Sequence, residues 1–224
     1  RLWLELLSNN RGTISSSPPF GYSLCAARVK EKDARSYDLS AWRIACVGAE
    51  RIHPEPLTAF AEALAPAGFS EQAFVACYGM AECGLAVSFA PLDRGMELDC
   101  VDRDRLAQNR EALPVDGTPG EKSTNGNTFV KCGIPLPRYE FEIRDAQGRV
   151  LPDRECGTLF VRGPNVMSGY FGDPETTSEV LSSDGWFNTG DLAYRISDTL
   201  VITGREKDLI IINGRNIWPQ DLEY

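Results

Sequence analysis

The sequence is poor in the residues that build several common kinds of functional site. Its single histidine, His53, excludes a histidine-rich metal site, and a catalytic triad would have to be centred on this residue, which lies in a polar stretch before a predicted helix. Its seven cysteines are odd in number and include no Cys-x-x-Cys pair. Several lie in apolar runs, where a thiol behaves as a small hydrophobic side chain. We therefore predict reduced structural thiols, as in a cytosolic protein.

Concentrated positive charge and long apolar runs are also absent. The formal net charge is −9 and the basic residues are spread singly, so the sequence has no concentrated basic patch that could bind nucleic acid. No apolar run approaches the ~20 residues that span a bilayer, and there is no secretory signal pattern. These absences predict a cytoplasmic protein with no nucleic-acid partner and no stable membrane insertion.

What is present is an ordinary globular composition of 42% apolar and 25% charged residues over 224 positions. Residues 1–90 alternate helical and strand patterns, which is typical of an α/β lobe. Residues 42–47 and 74–78 are predicted strands, and a helix beginning near Pro56 is predicted between them. Parallel strands that end in glycine-containing turns place the following residues at a crevice where α/β sheets bind ligands.

The pattern changes beyond residue 90. Residues 91–128 are predicted to be a polar insertion, because acidic and basic residues mix there and residues 116–127 are rich in turn formers. Residues 129–203 predict short strands and one short helix, as in a β-barrel-like lobe. Residues 204–224 predict a charged turn, an apolar strand, a second turn and the start of a helix.

Four segments, in this order, match motifs of one enzyme family: Tyr78-Gly79-Met80-Ala81-Glu82; residues 157–163 with Gly169-Tyr170-Phe171; Trp186 to Leu192; and Gly204 to Glu223. The chain resembles the large domain of the adenylate-forming enzymes, which include acyl-CoA synthetases, nonribosomal peptide adenylation domains and luciferases. The last segment is most similar to the fatty acyl-AMP ligases. The resemblance implies an α/β lobe followed by a small distorted β-barrel lobe, with the hinge and the start of the small domain at residues 204–224. It also implies that the loop that binds the β- and γ-phosphates of ATP lies upstream of residue 1, and that the catalytic lysine lies beyond Tyr224.

The resemblance implies that a fatty acid reacts with ATP to give an acyl-adenylate and pyrophosphate. In the fatty acyl-AMP ligases the acyl group then passes to an acyl carrier protein. Adenylation needs a divalent cation to offset phosphate charge, a flat surface for adenine and acceptors for the ribose hydroxyls. The implied cofactors are ATP and Mg²⁺.

Each site residue is assigned on a matching position. Glu82 is the expected catalytic residue and Mg²⁺ ligand, since a carboxylate is the hard oxygen donor that this ion prefers. Lys207 corresponds to the hinge. Asp191 follows a glycine in a tight turn, where its carboxylate can accept from both ribose hydroxyls. The full set expected to bind the nucleotide is Gly48, Ala49, Glu50, Tyr78, Gly79, Met80, Ala81, Asp191 and Arg205.

Two observations bear on the branch of the family. Ala81 stands where most of the superfamily has threonine, and alanine is usual in fatty acyl-AMP ligases. The stretch from Pro91 to Asn127, with Val101 to Asp104, resembles the insertion that these ligases carry, which is thought to limit movement of the small domain. An acyl-CoA synthetase remains the alternative within the family, and a non-catalytic nucleotide-binding module is the alternative outside it.

Overall fold

The computed structural model describes residues 2–115, 125–208, 210–212 and 215–217. The helices are α1 (Leu2–Asn9), α2 (Pro19–Arg28), α3 (Glu31–Ala34), α4 (Pro54–Leu64), α5 (Arg103–Asn109) and α6 (Pro174–Val180). The strands are β1 (Ile14–Ser17), β2 (Ile44–Val47), β3 (Phe74–Met80), β4 (Leu85–Phe89), β5 (Leu98–Asp102), β6 (Gly126–Val130), β7 (Ile134–Pro135), β8 (Glu140–Arg144), β9 (Gly157–Arg162), β10 (Phe187–Ile196), β11 (Thr199–Arg205), β12 (Ile210–Ile212) and β13 (Arg215–Ile217). The chain divides into two compact units, residues 1–78 with 89–97 and residues 79–88 with 98–224. Within the described part, no helix is long and apolar enough to cross a bilayer.

The first unit is built on parallel strands. In it β1 pairs with β2 and β2 with β3, for example Ile14 opposite Ile44 and Ala45 opposite Phe74. Parallel neighbours need a crossover connection, which α4 supplies between β2 and β3. The predicted strands and helix are confirmed, and the apolar face of α4 is buried as its period requires. The carboxyl ends of β2 and β3 therefore lie at one edge of these strands.

A cluster of aromatic rings holds the helices of this unit onto its strands. Its members are Trp3, Tyr22, Trp42, Phe60, Phe69 and Phe74. The Phe60 ring meets Tyr22 and Phe69 edge to face, with centroids 5.0 and 5.1 Å apart, a preferred aromatic geometry. The Tyr22 hydroxyl donates to the Cys46 carbonyl oxygen at 2.8 Å, and burial raises the pKa of Tyr22. Each ring interlocks with several others, so the loops after β2 and β3 extend from a rigid support.

The second unit is centred on an antiparallel sheet of order β11-β10-β9-β8. Asp173 caps α6 by accepting from the Thr176 N–H at 3.0 Å, as its position before Pro174 predicts. The turn after β8 is closed by the Asp145 carboxylate, which accepts from two backbone N–H groups, a common role of aspartate in turns. The predicted α/β class is confirmed. The four strands β8 to β11 form an open sheet, while β6 pairs with β5 and β7 with β4.

The stretch expected to be a polar insertion is largely structured. Its described residues form β5 and α5, and β5 pairs with β6. Apolar side chains from these elements join the core of the second unit, which comprises Val101, Leu106, Ala112, Phe129, Cys156, Leu192, Tyr194 and Val201. Two of its acidic residues are bonded within the fold, since Asp102 caps α5 and Asp99 pairs with the distant Arg154. The turn-rich residues 116–124, and the helix predicted from Pro219, lie outside the described residues.

Candidate active site

A β-bulge in β10 presents Asp191. The register between β9 and β10 shifts between Asn188 and Leu192, and Gly190 has a φ of 70°. The Thr189 hydroxyl donates to the Leu159 carbonyl at 2.9 Å and accepts from the Asp191 N–H at 3.0 Å. This conformation needs glycine at residue 190, because a left-handed φ is costly for most other residues. Hydrogen bonds made by the Asn-Thr-Gly-Asp residues therefore stabilise the bulge and fix the Asp191 backbone.

Arg205 lies opposite Asp191 on the neighbouring strand. The two residues are register partners between β10 and β11, and the Arg205 Nε donates to Asp191 Oδ1 at 3.1 Å. The Asp191 side chain is 7% exposed and that of Arg205 is 66% exposed. A nearly buried acceptor thus stands beside an accessible donor, which suits recognition of neighbouring hydroxyl groups on one ligand.

Glu82 lies in a short 3₁₀ turn, Ala81–Cys83, between β3 and β4. A side chain at Gly79 would collide with the Leu85 carbonyl oxygen, so the chain can turn back here only with glycine. The turn is held at two backbone carbonyls, Glu82 by the Met167 N–H at 2.7 Å and Cys83 by the Tyr139 hydroxyl at 2.9 Å. One carboxylate oxygen of Glu82, Oε1, accepts from the Tyr170 hydroxyl at 3.0 Å. Glu82 is half-buried, so its carboxylate is oriented without being enclosed.

The remaining predicted nucleotide-binding residues belong to the first unit and to the start of the second. Ala49 has a φ of 70° in the loop after β2, and Gly48 approaches Cys77 so closely that a Cβ would come within 2.5 Å of its carbonyl oxygen. The Glu50 carboxylate accepts from the Phe20 N–H at 3.0 Å, at the first turn of α2. Tyr78 is half-buried near the end of β3, immediately before Gly79. These loops are shaped by close backbone approach, as a base-reading loop requires.

Lys207 follows β11 directly. It lies in the 3₁₀ turn Glu206–Asp208 and is exposed. The predicted turn at this point is therefore present, two residues after Arg205.

The described residues contain no group of three or more histidine, cysteine, aspartate or glutamate side chains that could enclose a metal ion. Mg²⁺ is commonly held by one or two carboxylates together with substrate phosphates. The half-buried Glu82 carboxylate fits that role, because Tyr170 bonds one of its oxygens without neutralising its charge.

Tyr170 belongs to one of the family motifs in the sequence, but no role was predicted for it. Its contact with Glu82 spans 88 positions, so spacing gave no signal of it. No motif in the sequence indicated that Asp99 pairs with Arg154, or that the Asp99 carboxylate accepts from the Tyr194 hydroxyl at 2.7 Å. The one available signal was the period-two pattern of β10, which turns Tyr194 inward.

Comparison with known proteins matches these features to one family. A profile of the AMP-binding enzymes matches residues 1–171. A Caulobacter vibrioides protein with the provisional name acyl-CoA synthetase is 52% identical over 223 residues, covering 100% of this chain and 38% of that protein. The medium-chain-fatty-acid–[acyl-carrier-protein] ligase TtuA of Teredinibacter turnerae is 34% identical, covering 99% of this chain and 36% of that protein.

A solved structure from a study of fatty acyl-adenylate ligases from E. coli and L. pneumophila superposes with a TM-score of 0.92 at 48% identity, covering 100% of this chain and 40% of that one. The chain thus spans about two fifths of the length of these relatives. The structural likeness confirms the predicted fold of the large domain of adenylate-forming enzymes. On the profile match, the chain belongs to the family of AMP-binding enzymes.

Proposed function

We propose that the protein containing these residues is a fatty acyl-AMP ligase. It joins a fatty acid to the α-phosphate of ATP, releases pyrophosphate and passes the acyl group to an acyl carrier protein. The free cysteines suit a cytoplasmic location.

The observation that carries the proposal is the facing pair of Asp191 and Arg205. The Asp191 carboxylate accepts from the ribose hydroxyls, and the exposed Arg205 guanidinium donates to the ribose from the adjacent strand. The bulge at Gly190 supports this role, because it orients Asp191 before any ligand binds. Such preorganisation lowers the entropic cost of binding the nucleotide.

Other residues complete the nucleotide site in this proposal. Tyr78 offers its ring face to adenine, and the backbone of residues 48–50 reads the edge of the base. Residues 79–81 form the close-packed turn that leads to Glu82. Glu82 holds Mg²⁺, which offsets charge on the phosphate oxygens during displacement of pyrophosphate.

The choice of an acyl carrier protein over CoA rests on two features. Ala81 matches the fatty acyl-AMP ligase branch, and the stretch from Pro91 to Asn127, whose described residues include β5 and α5, resembles the insertion of these ligases. The competing reading is an acyl-CoA synthetase, which the name of the Caulobacter relative favours. The full-length enzyme tests both readings by ATP–pyrophosphate exchange with a series of fatty acids, followed by mass spectrometry of the products with CoA or a carrier protein supplied. Absence of exchange with every fatty acid contradicts the proposal, and efficient acyl-CoA formation favours the alternative.

We predict that Lys207→Pro separates adenylation from acyl transfer. Proline fixes φ near −65° in the turn after β11, where rotation of the small domain requires the backbone torsions to change. Pyrophosphate exchange and transfer to the carrier protein, measured separately, should fall by different factors. Lys207→Ala removes the same side chain but leaves the torsions free, so it should affect both steps far less. An equal fall in both steps with Lys207→Pro indicates a loss of stability instead of a blocked hinge.

We also predict that shortening the polar part of the insertion changes acceptor choice. The turn-rich part is residues 116–127, and the deletion is confined to residues 116–124 because the last residues of this part are bonded into the fold. Asn125 accepts from the Arg103 N–H at 3.0 Å, and Asn127 pairs with Val101. Replacing residues 116–124 by a short Gly-Ser linker should be tolerated, since loop length costs only about 0.6 kcal/mol per doubling.

In that variant, adenylation should be largely retained and acyl-CoA should become measurable by mass spectrometry. The control is a Gly-Ser linker of the same length as the parent segment, which changes the loop sequence but not the loop length. If both variants and the parent yield adenylate alone with CoA supplied, this segment does not govern acceptor choice.

A further inference from the structure

The Glu82 side chain and backbone are both held by one distant loop. The Tyr170 hydroxyl donates to Glu82 Oε1 at 3.0 Å, across 88 positions of sequence. The Met167 N–H donates to the Glu82 carbonyl oxygen at 2.7 Å. Residues 167–170 therefore fix the position of the turn and the direction of its carboxylate.

The loop that supplies Tyr170 is itself anchored. The Tyr170 N–H donates to Thr177 Oγ1 at 2.9 Å, and that hydroxyl donates to the Asp173 carbonyl oxygen at 2.7 Å. Gly169, with a φ of 148°, comes so close to Thr177 that a Cβ would lie 2.8 Å from its Cγ2 atom. Tyr170 lies before α6 but is bonded to Thr177 of that helix, so the donor to Glu82 is held in place and can restrict the carboxylate.

A tyrosine suits this position chemically. A phenol hydroxyl donates a hydrogen bond at neutral pH, and that of Tyr170 is placed to donate to Glu82. A phenol carries no positive charge, whereas an arginine or lysine here would offset the charge on Glu82 that attracts a cation. The bond also restricts the terminal torsion of the glutamate, which is otherwise broad. The Tyr170 hydroxyl therefore holds one carboxylate oxygen of Glu82 and leaves the negative charge of Glu82 intact.

We propose that Tyr170 is a positioning residue that orients the Glu82 carboxylate toward the divalent cation bound with ATP. This inference rests on the proposed role of Glu82. Tyr170 acts through Glu82 and contacts neither the nucleotide nor the metal ion.

The test uses Tyr170→Phe in the full-length enzyme. The Mg²⁺ concentration that gives half-maximal ATP–pyrophosphate exchange should rise about fivefold, the effect of losing one ordinary hydrogen bond. The rise in Tm that Mg²⁺ produces in the presence of ATP should shrink in parallel, because linkage to a bound ligand depends on its affinity. The Tm without ligand should change little, since Tyr170 is 36% exposed.

Tyr139→Phe is the matched control. Its hydroxyl also donates to this turn, but to the Cys83 carbonyl oxygen instead of the carboxylate, and the residue is 6% exposed. This variant should lower the ligand-free Tm measurably more than Tyr170→Phe does and leave the Mg²⁺ dependence unchanged. The two phenylalanine variants therefore separate a role in cation binding from a role in stability.

Glu82→Gln, measured beside them, separates failure of this inference from failure of the proposed function. If Glu82→Gln leaves the Mg²⁺ dependence unchanged, the assignment of Glu82 itself is wrong. If Glu82→Gln shifts it and Tyr170→Phe does not, or if Tyr170→Phe lowers only the Tm as Tyr139→Phe does, Tyr170 has no positioning role.

Discussion

Asp191→Ala should reduce acyl-adenylate formation by the full-length enzyme by about a hundredfold or more, chiefly through weaker ATP binding. Two charge-assisted bonds to the ribose hydroxyls, at the lower limit of about 1.5 kcal/mol each, correspond to this factor. The carboxylate is 7% exposed and already oriented by the bulge, so water cannot easily replace it. The measurement is the ATP dependence of pyrophosphate exchange, together with calorimetric ATP binding. An unchanged affinity for ATP would remove Asp191 from the ribose site.

Loss of the Arg205 pair is a separate consequence of this substitution. Arg205 is 66% exposed, so its released guanidinium is solvated and the pair itself contributes little to stability. Asp145→Ala is a suitable control, because Asp145 also pairs with an arginine, Arg149, in the hairpin turn after β8. It should destabilise that turn without altering ATP affinity. Asp191→Asn, which keeps the shape and loses the charge, should fall between wild type and Asp191→Ala.

Glu82→Gln should raise the Mg²⁺ requirement at least about tenfold, with little effect on folding. Loss of the ligand's own charge should cost more than loss of the partly exposed Tyr170 bond, and at least the lower end of the 10–100-fold range that is typical of changes around a metal ligand. The amide carbonyl oxygen can still accept from Tyr170, so the local geometry is preserved and the charge alone is removed. A Mg²⁺ titration of pyrophosphate exchange measures the effect, and thermal unfolding without ligand monitors the fold.

Glu140→Gln is the matched control for that substitution. Glu140 pairs with Arg162 on the surface of the sheet, and its side chain is 60% exposed. The change removes the same charge from the same unit and should leave the Mg²⁺ titration as it is in wild type. Identical titrations for Glu82→Gln and the wild-type enzyme would show that Glu82 does not hold the cation.

Much of the local structure was predictable because its causes lie within a few residues. The apolar period of α4, the Asp173 cap of α6 and the turn at Asp145 depend on neighbouring side chains, and all three are present. The segment from residue 91 was harder to predict. Its acidic residues suggested a solvated insertion, yet β5 and α5 bury Val101 and Leu106. Short amphipathic elements in a polar sequence carry too few apolar residues for their period to stand out.

The sequence alone determined the α/β class and the family. It also showed where tight turns occur, since glycines mark the positions whose local torsions other residues rarely adopt. Only the tertiary structure decided which side chains meet. Asp191 faces Arg205 because the antiparallel register of β10 with β11 makes them partners, and Tyr170 reaches Glu82 because the segment before α6 is bonded to the turn between β3 and β4. Such contacts depend on packing summed over many residues far apart in sequence, which no single motif records.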